Sequence, residues 1–440
     1  MKELTTLCIF FFLFTVNIAH QYLLVPNYQT IEAELKISDF KMGLVYSIYL
    51  ITFALSAIGW GYLADKFSRK RLLIIATFIW SVFSLLIATA SSYGSLISFL
   101  ACSSLGIGAI IPVGYSLTSD LVEPQRRSFA FAWWSVAFAI GSGGGILVAG
   151  VYDDWRFPFL LLATCGLVLA IPLLFLSEPA RGQSELSFNL AEKKDTLPYT
   201  YTINRDDLLK ILRCRTNLYV ILQNLPGFIP IGIISAWVIT LFIRDYGMSK
   251  ATASIASIIM FVGMFFGSLI FGALGDHWFK KDRRARVKLC LIMLLASMPL
   301  WIAVFCIPFR VAQDADIIDV MLLPVGMLMF IISILASSFS EGFMPNWLAT
   351  LSDVNLPEHR GTISAMNTLA SRIGSGIAPS LGGALSLLLG GNLRMAIIIG
   401  ILFWIPALFL WTLALRSVEQ DMHQMEKTLQ VRAEHQVHYD

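Results

Sequence analysis

The chain has 440 residues, of which 57% are hydrophobic and only 14% charged, with a mean hydropathy of +0.72. A soluble domain carries about 25% charged residues, so the composition excludes an ordinary soluble protein and points to repeated membrane spans. A formal net charge of +3 says nothing about partners, and no nucleic-acid partner is expected.

Apolar runs predict twelve spans in chain order. The first, at 5–24, follows Lys2 with no small-x-small cleavage site after it, and so reads as a span rather than a signal peptide. Spans at 42–63, 72–91, 94–117, 129–151 and 156–177 complete a first set of six. A polar stretch follows that contains "SEPARGQSELSFNLAEKKDT" and ends in "RDDLLKILRCR", a candidate surface amphipathic helix. Six more spans are expected at 216–243, 250–274, 288–308, 318–350, 362–389 and 393–415, before a polar tail. The predicted domains are therefore a six-helix bundle at 1–177, a cytoplasmic linker at 178–215, a second six-helix bundle at 216–416 and a cytoplasmic tail at 417–440.

Orientation follows from basic residues. With both termini cytoplasmic, 24 of the 32 Lys and Arg fall on the inner side and seven on the outer side (Lys36, Lys41, Arg156, Arg244, Lys250, Arg310 and Arg394). Arg372 alone lies within a span. The six Cys show no C-x-x-C or metal-like spacing, so neither a disulfide framework nor a metal site is expected, and no cofactor motif is present.

The two halves repeat one another. "PVGYSLTSDLVEPQRRSFAFAWWSVAFAIGSG" (112–143) aligns without a gap on "PNWLATLSDVNLPEHRGTISAMNTLASRIGSG" (345–376). Pro112 then matches Pro345, Asp120 matches Asp353, and Arg127 matches Arg360. Two parallel six-span halves are an architecture of secondary transporters, with the substrate near the midplane. The glycine run "GSGGG" (141–145) lies in an apolar span and reads as close helix packing rather than a phosphate loop.

A charged motif interrupts the apolar chain twice, as "GYLADKFSRKR" after span two and "GALGDHWFKKDRR" after span eight. The first resembles the G-x-x-x-D-x-x-x-R-[KR] loop signature of the major facilitator superfamily, and the second resembles its degenerate copy. The resemblance implies an all-α membrane fold of twelve transmembrane helices in two pseudo-symmetric six-helix bundles. It also implies a cytoplasmic gate, closed in the outward-facing state, at Gly61, Asp65, Arg69, Asp120 and Arg127 and, in the second half, at Gly272, Asp276, Asp353 and Arg360. The alternative for the basic cluster is a topology signal alone. "GIG" (106–108), "WRFPF" (155–159) and "EPARG" (178–182) are similar to motifs of the Spinster-like branch of lipid and lysolipid transporters. Where that branch has Asn-x-x-Asp-Arg in span one, this chain has Asn17-Ile18-Ala19-His20-Gln21. Cys102 and Ala109 replace the branch's charged residues around the span-four glycines.

Ionisable groups inside spans are rare and expensive. Glu341 and Arg372 each lie about ten residues from the cytoplasmic end of their spans, roughly 15 Å deep. They read either as a counter-ion or protonation site beside an anion-binding Arg, or as a silent ion pair. His20 is either a proton switch or hydrogen-bonded structure. Asn17 and Gln21 flank it. On spans that line the cavity in this superfamily stand Tyr46, Tyr49, Tyr115, Trp133, Trp134, Asn224, Trp237, Asn346, Trp347 and Asn367, each of which also reads as packing.

The expected function is secondary active transport, by alternating access, of an amphiphilic or anionic, lysophospholipid-like solute, with protons as candidate coupling ion. The alternatives are a sugar-phosphate, organic-anion or drug carrier of the same superfamily, or a non-transporting receptor. No enzyme motif is present: there is neither an HExxH nor a nucleophile elbow. Membrane lipids and the small-molecule or lipid-like substrate are the expected partners, and the expected state is a monomer.

Overall fold

The structure is a computed structural model that describes residues 2–122, 127–175, 178, 205–312, 315–356 and 359–437. Side chains at 2–5, 65, 119–120, 127–132, 135, 205–208, 360–361 and 432–437 lie outside the description. Every regular element among the described residues is helical. In hydrocarbon a helix satisfies its own backbone polar groups, which is why long apolar runs take this form.

The helices in chain order are α1 (Lys2–Gln21), α2 (Tyr28–Leu35), α3 (Asp39–Lys66), α4 (Arg69–Ile87), α5 (Tyr93–Ile107), α6 (Ile110–Leu121), α7 (Arg127–Val151) and α8 (Arg156–Leu173). After the linker come α9 (Arg205–Arg213), α10 (Arg215–Arg244), α11 (Lys250–Phe279), α12 (Ala285–Cys306) and α13 (Ile317–Leu322). The chain continues with α14 (Pro324–Val354), α15 (Arg360–Leu388), α16 (Leu393–Ile401) and α17 (Trp404–Val437). Starts are set by capping residues: Ser38 accepts from the Lys41 amide, and Ser92 and Ser95 form a reciprocal capping box at α5.

Ten stretches among the described residues are long and apolar enough to cross a membrane. The fifth and eleventh spans, carried by α7 and α15, bring the count to the expected twelve. Only Val136–Val151 of α7 stands out as apolar. Helix α15 is diluted by Ser, Thr, Asn, Gly and Arg372. The fourth span is broken into α5 and α6 at Gly108. A Cβ there would lie 2.0 Å from Ser56 Oγ and 2.8 Å from the Phe53 carbonyl of α3, so the break comes where two backbones touch. In "GSGGG" the close packing is carried by Gly141 and Gly145, while Gly143 and Gly144 have open space beside them. A Cβ on Gly141 or Gly145 would strike the carbonyls of Thr15 (2.6 Å) or Ala19 (2.2 Å) in α1.

By internal contacts the residues fall into two compact units. The first comprises Met1–Pro198, Phe242–Arg244 and Ser249–Ile255; the second comprises Tyr199–Leu241, Asp245–Met248 and Ala256–Asp440. The core of the first is built on Phe10, Phe14, Leu73, Val113 and Leu117, with Trp134 centred 5.0 Å from both Phe rings. Its two short outlying pieces are held by polar contacts. Arg244 pairs with Glu32 and, at 2.9 Å, with Asp39. Lys250 Nζ donates to Asn27 Oδ1 (2.5 Å) and to the Tyr152 carbonyl (2.7 Å).

In the second unit Trp237 and Trp301 are fully buried and their indole N–H groups are satisfied. Trp237 donates to the Pro379 carbonyl at 2.9 Å and Trp301 to Ser340 Oγ at 2.8 Å. Helix α17 continues the last span as one 34-residue helix. Asp421 accepts from the Thr216 amide at 2.9 Å, Glu426 pairs with Arg283 at 2.8 Å, and Glu419 pairs with Arg284.

Candidate functional site

The first charged motif builds a compact anion-binding helix start. Ser68 caps α4, leaving the first amides of the helix pointing outward without intrahelical partners. Glu178, just beyond α8, occupies that position. Its carboxylate accepts from Ser68 Oγ at 2.5 Å, from the Arg69 amide at 2.8 Å and from Arg69 Nε at 3.3 Å. The Lys70 amide lies at 3.5 Å. Arg69 is 1% exposed and also donates to the carbonyl and hydroxyl of Ser116, both at 3.3 Å. Burial raises the proton affinity of Glu178, but the bonds from Ser68, Arg69 and Lys70 outweigh it and hold the carboxyl below its ordinary value. The positive end of the α4 dipole acts in the same direction.

The second motif builds a different centre, inside the second unit. Arg286 donates to Asp276 at 2.7 Å and to Asp353 at 2.5 Å, and its guanidinium lies 4.0 Å from the centroid of Phe279. Asp276 and Asp353 are thus joined through an arginine that the motif reading did not single out. Asp353 is the more enclosed acid, 20% exposed against 71% for Asp276.

One contact recurs in both units. Gly61 of the first motif faces Pro112, whose Cβ would lie 3.7 Å from an added Cβ. Gly272 of the second faces Pro345 at 3.4 Å. Pro112 and Pro345 are the residues matched by the internal repeat, so the repeat extends to the packing partner of each motif glycine. The side chains of Asp65, Asp120, Arg127 and Arg360, all expected at the gate, lie outside the described residues.

The polar residues expected along the spans divide into two groups. In the first group the polar atoms are spent on helix packing. His20 Nε2 and Ser84 Oγ share a hydrogen bond at 2.8 Å, and Ser84 Oγ also lies 3.2 Å from the Phe159 carbonyl; a ring that carries its proton on Nε2 lets both contacts form. The ring, 2% exposed, sits between Trp80 (5.4 Å) and Phe159 (5.6 Å), and Nδ1 is buried without a hydrogen bond among the described residues. A second proton would place a cation in an aromatic enclosure, so the geometry favours His20 as hydrogen-bonded structure over a proton switch. Asn17 accepts from Gln21 Nε2 at 3.2 Å. Asn346 donates to the carbonyls of Phe271 (2.9 Å) and Gly342 (3.2 Å). Asn224 Nδ2 donates to Asn367 Oδ1 at 2.7 Å. Trp237 is committed to Pro379, as above. Tyr49 is buried and stacked 6.0 Å from Tyr46; its hydroxyl, unlike the side-chain amides of this group, makes no hydrogen bond among the described residues.

The second group stays accessible. Tyr115 is 57% and Trp133 50% exposed, and Arg372 is exposed on α15. Glu341 is half-buried on α14 and makes no hydrogen bond or ion pair among the described residues. The structure therefore does not join Glu341 and Arg372 as the ion pair that their matching depth suggests.

Reasoning from sequence missed Glu178 and Arg286 as centres of the two motif clusters. A signal existed for both. Glu178 opens the "EPARG" stretch directly after an apolar span, and Arg286 is the last base of "DRRAR".

The fold and the duplicated motif define a transporter class. The sequence model of the Major Facilitator Superfamily matches residues 7–334, and the chain belongs to that superfamily. Within it the chain is similar to Spinster proteins. It is 27% identical to Protein spinster of Drosophila melanogaster over 190 residues, 42% of this chain and 31% of that protein. It is 25% identical to the sphingosine-1-phosphate transporter SPNS2 of Danio rerio over 177 residues, 39% of this chain and 35% of that protein. The matches thus span about a third of the length of these relatives. The hexuronate transporter of Bacillus subtilis is 23% identical over 260 residues, 58% of this chain and 60% of that protein. Among solved structures, a bacterial homolog of the human lysosomal transporter Spinster, inward-facing and unoccupied, superposes with a TM-score of 0.80. That match covers 96% of this chain and 98% of the other at 18% identity, and shows a shared fold. These relatives are membrane transporters and not enzymes.

Proposed function

We propose that the protein is a secondary active transporter working by alternating access, and that it moves an amphiphilic or anionic organic solute of the lysophospholipid kind. The observation that carries the substrate reading is that otherwise apolar spans of the second unit hold two ionisable groups, Arg372 and Glu341, that are not paired with each other. Arg372 is exposed, and Glu341 has no partner among the described residues. Such groups are costly in a bilayer and are retained where they meet a ligand or an ion. Arg372 takes the anionic head group; Glu341 is its counter-ion or the site where a coupling proton binds. Few other charges line the spans, which suits a ligand with one charged end and a long apolar part. The Spinster likeness supports the same class.

In this reading Asp65, Arg69, Asp120 and Arg127, with Asp276, Asp353 and Arg360, form the cytoplasmic gate. Gly61 and Gly272 give the close approach, and both termini are cytoplasmic. The protein acts as a monomer with the bundles at 1–177 and 216–416. The test is uptake of labelled lysophospholipid into proteoliposomes by the native protein, Arg372→Ala and Glu341→Gln, with and without a pH gradient. Saturable uptake, lost in Arg372→Ala and made insensitive to the gradient by Glu341→Gln, is the expected result. Uptake that survives Arg372→Ala overturns the head-group assignment.

A second reading, an organic-anion carrier, is favoured by the broader match to the hexuronate transporter. Uptake of a labelled hexuronate, unaffected by excess lysophospholipid, would establish it in place of the first.

A further inference from the structure

A depression of about 530 Å³ lies in the second unit, lined by Asp245, Pro308, Phe309, Arg310 and Arg394. Its volume is within the ~300–1,000 Å³ range of small-molecule sites. Three chain segments meet there. Asp245 caps the C-terminal end of α10, Arg394 lies in the first turn of α16, and Pro308 to Arg310 belong to the connection after α12.

The two guanidinium groups are held in similar ways. Arg310 Nε donates to the Asp245 carbonyl at 3.1 Å, and Arg394 Nε donates to Asp245 Oδ2 at 3.2 Å. Each arginine thus spends its Nε on one residue. The terminal nitrogens of both make no hydrogen bond among the described residues. Helix capping alone accounts for the Nε contacts and leaves two planar donor forks unused.

The floor is rigid. Phe309 stacks on Tyr246 with centroids 4.9 Å apart, and the Arg394 guanidinium lies 5.0 Å from the centroid of Tyr246. The connection is pinned twice to Tyr246: the Val311 amide donates to its carbonyl at 2.9 Å, and its hydroxyl donates to the Ile307 carbonyl at 3.3 Å. Two guanidinium groups and one carboxylate leave a net charge of +1 at the rim. The apolar faces of Pro308 and Phe309 stand beside it.

We propose that this depression is a binding site for an oxyanion, a phosphate monoester or carboxylate, attached to an apolar group. The terminal nitrogens of Arg310 and Arg394 grip the oxyanion, the geometry in which guanidinium forks bind such groups. The apolar part lies on Phe309 and Pro308. The anchored Nε bonds and the stacked rings hold the arginines in place before the ligand arrives, which lowers the entropic cost of binding. The site is open, and it is separate from Glu341 and Arg372, so it stands or falls independently of the transport reading.

The test is calorimetric titration of the detergent-solubilised full chain with phenyl phosphate and with inorganic phosphate. The native protein, Arg310→Gln and Arg394→Gln are compared. Arg310→Gln is the decisive variant, because Arg310 is exposed and its described bond goes only to a backbone carbonyl. A thermal melt of each variant confirms folding. Saturable binding of phenyl phosphate, weakened about tenfold or more by Arg310→Gln, is expected from the loss of a charge-assisted contact. Absence of binding to the native protein, or binding unchanged in both variants, overturns the site. Inorganic phosphate binding as tightly as phenyl phosphate overturns the apolar part of the assignment. A second arm repeats the titration in nanodiscs of phosphatidylcholine with and without phosphatidic acid. Competition by phosphatidic acid assigns the oxyanion to a lipid head group; undiminished binding assigns it to a soluble ligand.

Discussion

Removing Glu178 tests whether the first motif is a structural clasp. Glu178→Ala takes away the acceptor for Ser68, for two α4 amides and for the guanidinium of Arg69. Breaking a buried ion pair from one side costs about 3–5 kcal/mol. Glu178 is 24% exposed and Arg69 keeps its bonds to Ser116, so the expected cost is lower, about 2–3 kcal/mol. For a cooperative unit of about 200 residues each kcal/mol moves the thermal midpoint by roughly 2–4 °C, giving a drop of roughly 5–10 °C. The eleven tryptophans provide the signal for a fluorescence melt in detergent. Glu178→Gln keeps an acceptor oxygen but loses the charge, and falls between the native protein and Glu178→Ala. A melt of Glu178→Ala within about 1 °C of the native protein would refute the reasoning, because a carboxylate with these partners cannot be energetically silent.

The same carboxylate predicts a pH dependence. Its folded proton affinity is below the ordinary Glu value, so its contribution is complete above the unfolded pKa of about 4.3 and is lost as pH falls through the folded value. The midpoint gap between native protein and Glu178→Gln therefore narrows as the pH falls below about 4.3, and a constant gap would contradict the assignment. Arg286→Ala leaves Asp353 partly enclosed without its cation and is expected to cost about 2–3 kcal/mol, discounted for the exposed Asp276. Adding Asp353→Asn should recover part of that loss in a double-mutant cycle. Glu419→Ala breaks a pair whose members are 46% and 49% exposed and should change the melt by no more than about 1 kcal/mol. Gly108→Ala forces a contact with the backbone of α3 and is expected to cost about 1–3 kcal/mol, while Gly61→Ala meets only an ordinary contact with Pro112. If Gly61→Ala melts like the native protein but loses transport in the proteoliposome assay, its role is in movement rather than in holding the resting fold.

The spans were legible because hydropathy is a property of consecutive residues. Even the diluted eleventh span was found, since Arg372 and the small polar residues interrupt an apolar run without ending it. The motif glycines were legible for a related reason: Gly61 and Gly272 each stand four residues before an Asp, and Pro112 and Pro345, which they face, each stand eight residues before one. Partners distant in sequence were not legible. Ser68 meets Glu178 across 110 positions, and His20 meets Ser84 across 64. No periodicity reports such distances. His20 stood out as an ionisable residue in oil, yet only its neighbours reveal that the ring is committed to Ser84. The amides of Asn224, Asn346 and Asn367 teach the same lesson, because a polar side chain on a span serves a helix neighbour as readily as a cavity.

The long final helix turns the second unit into a pointer. From Trp404 to the exposed Val431 it is one unbroken helix, about 40 Å of rigid rod. The hydrocarbon layer is only about 30 Å thick, so the far end projects well past it. Glu419, Asp421 and Glu426 brace that rod against residues of the same unit, so it reports the attitude of the unit rather than its own wobble. A tilt of about 10° sweeps its far end by roughly 7 Å, a displacement within reach of spectroscopic distance measurement. A spin or dye label at position 431, placed after replacing the exposed Cys8 and Cys306, therefore acts as a mechanical amplifier for reorientation of the unit in the bilayer.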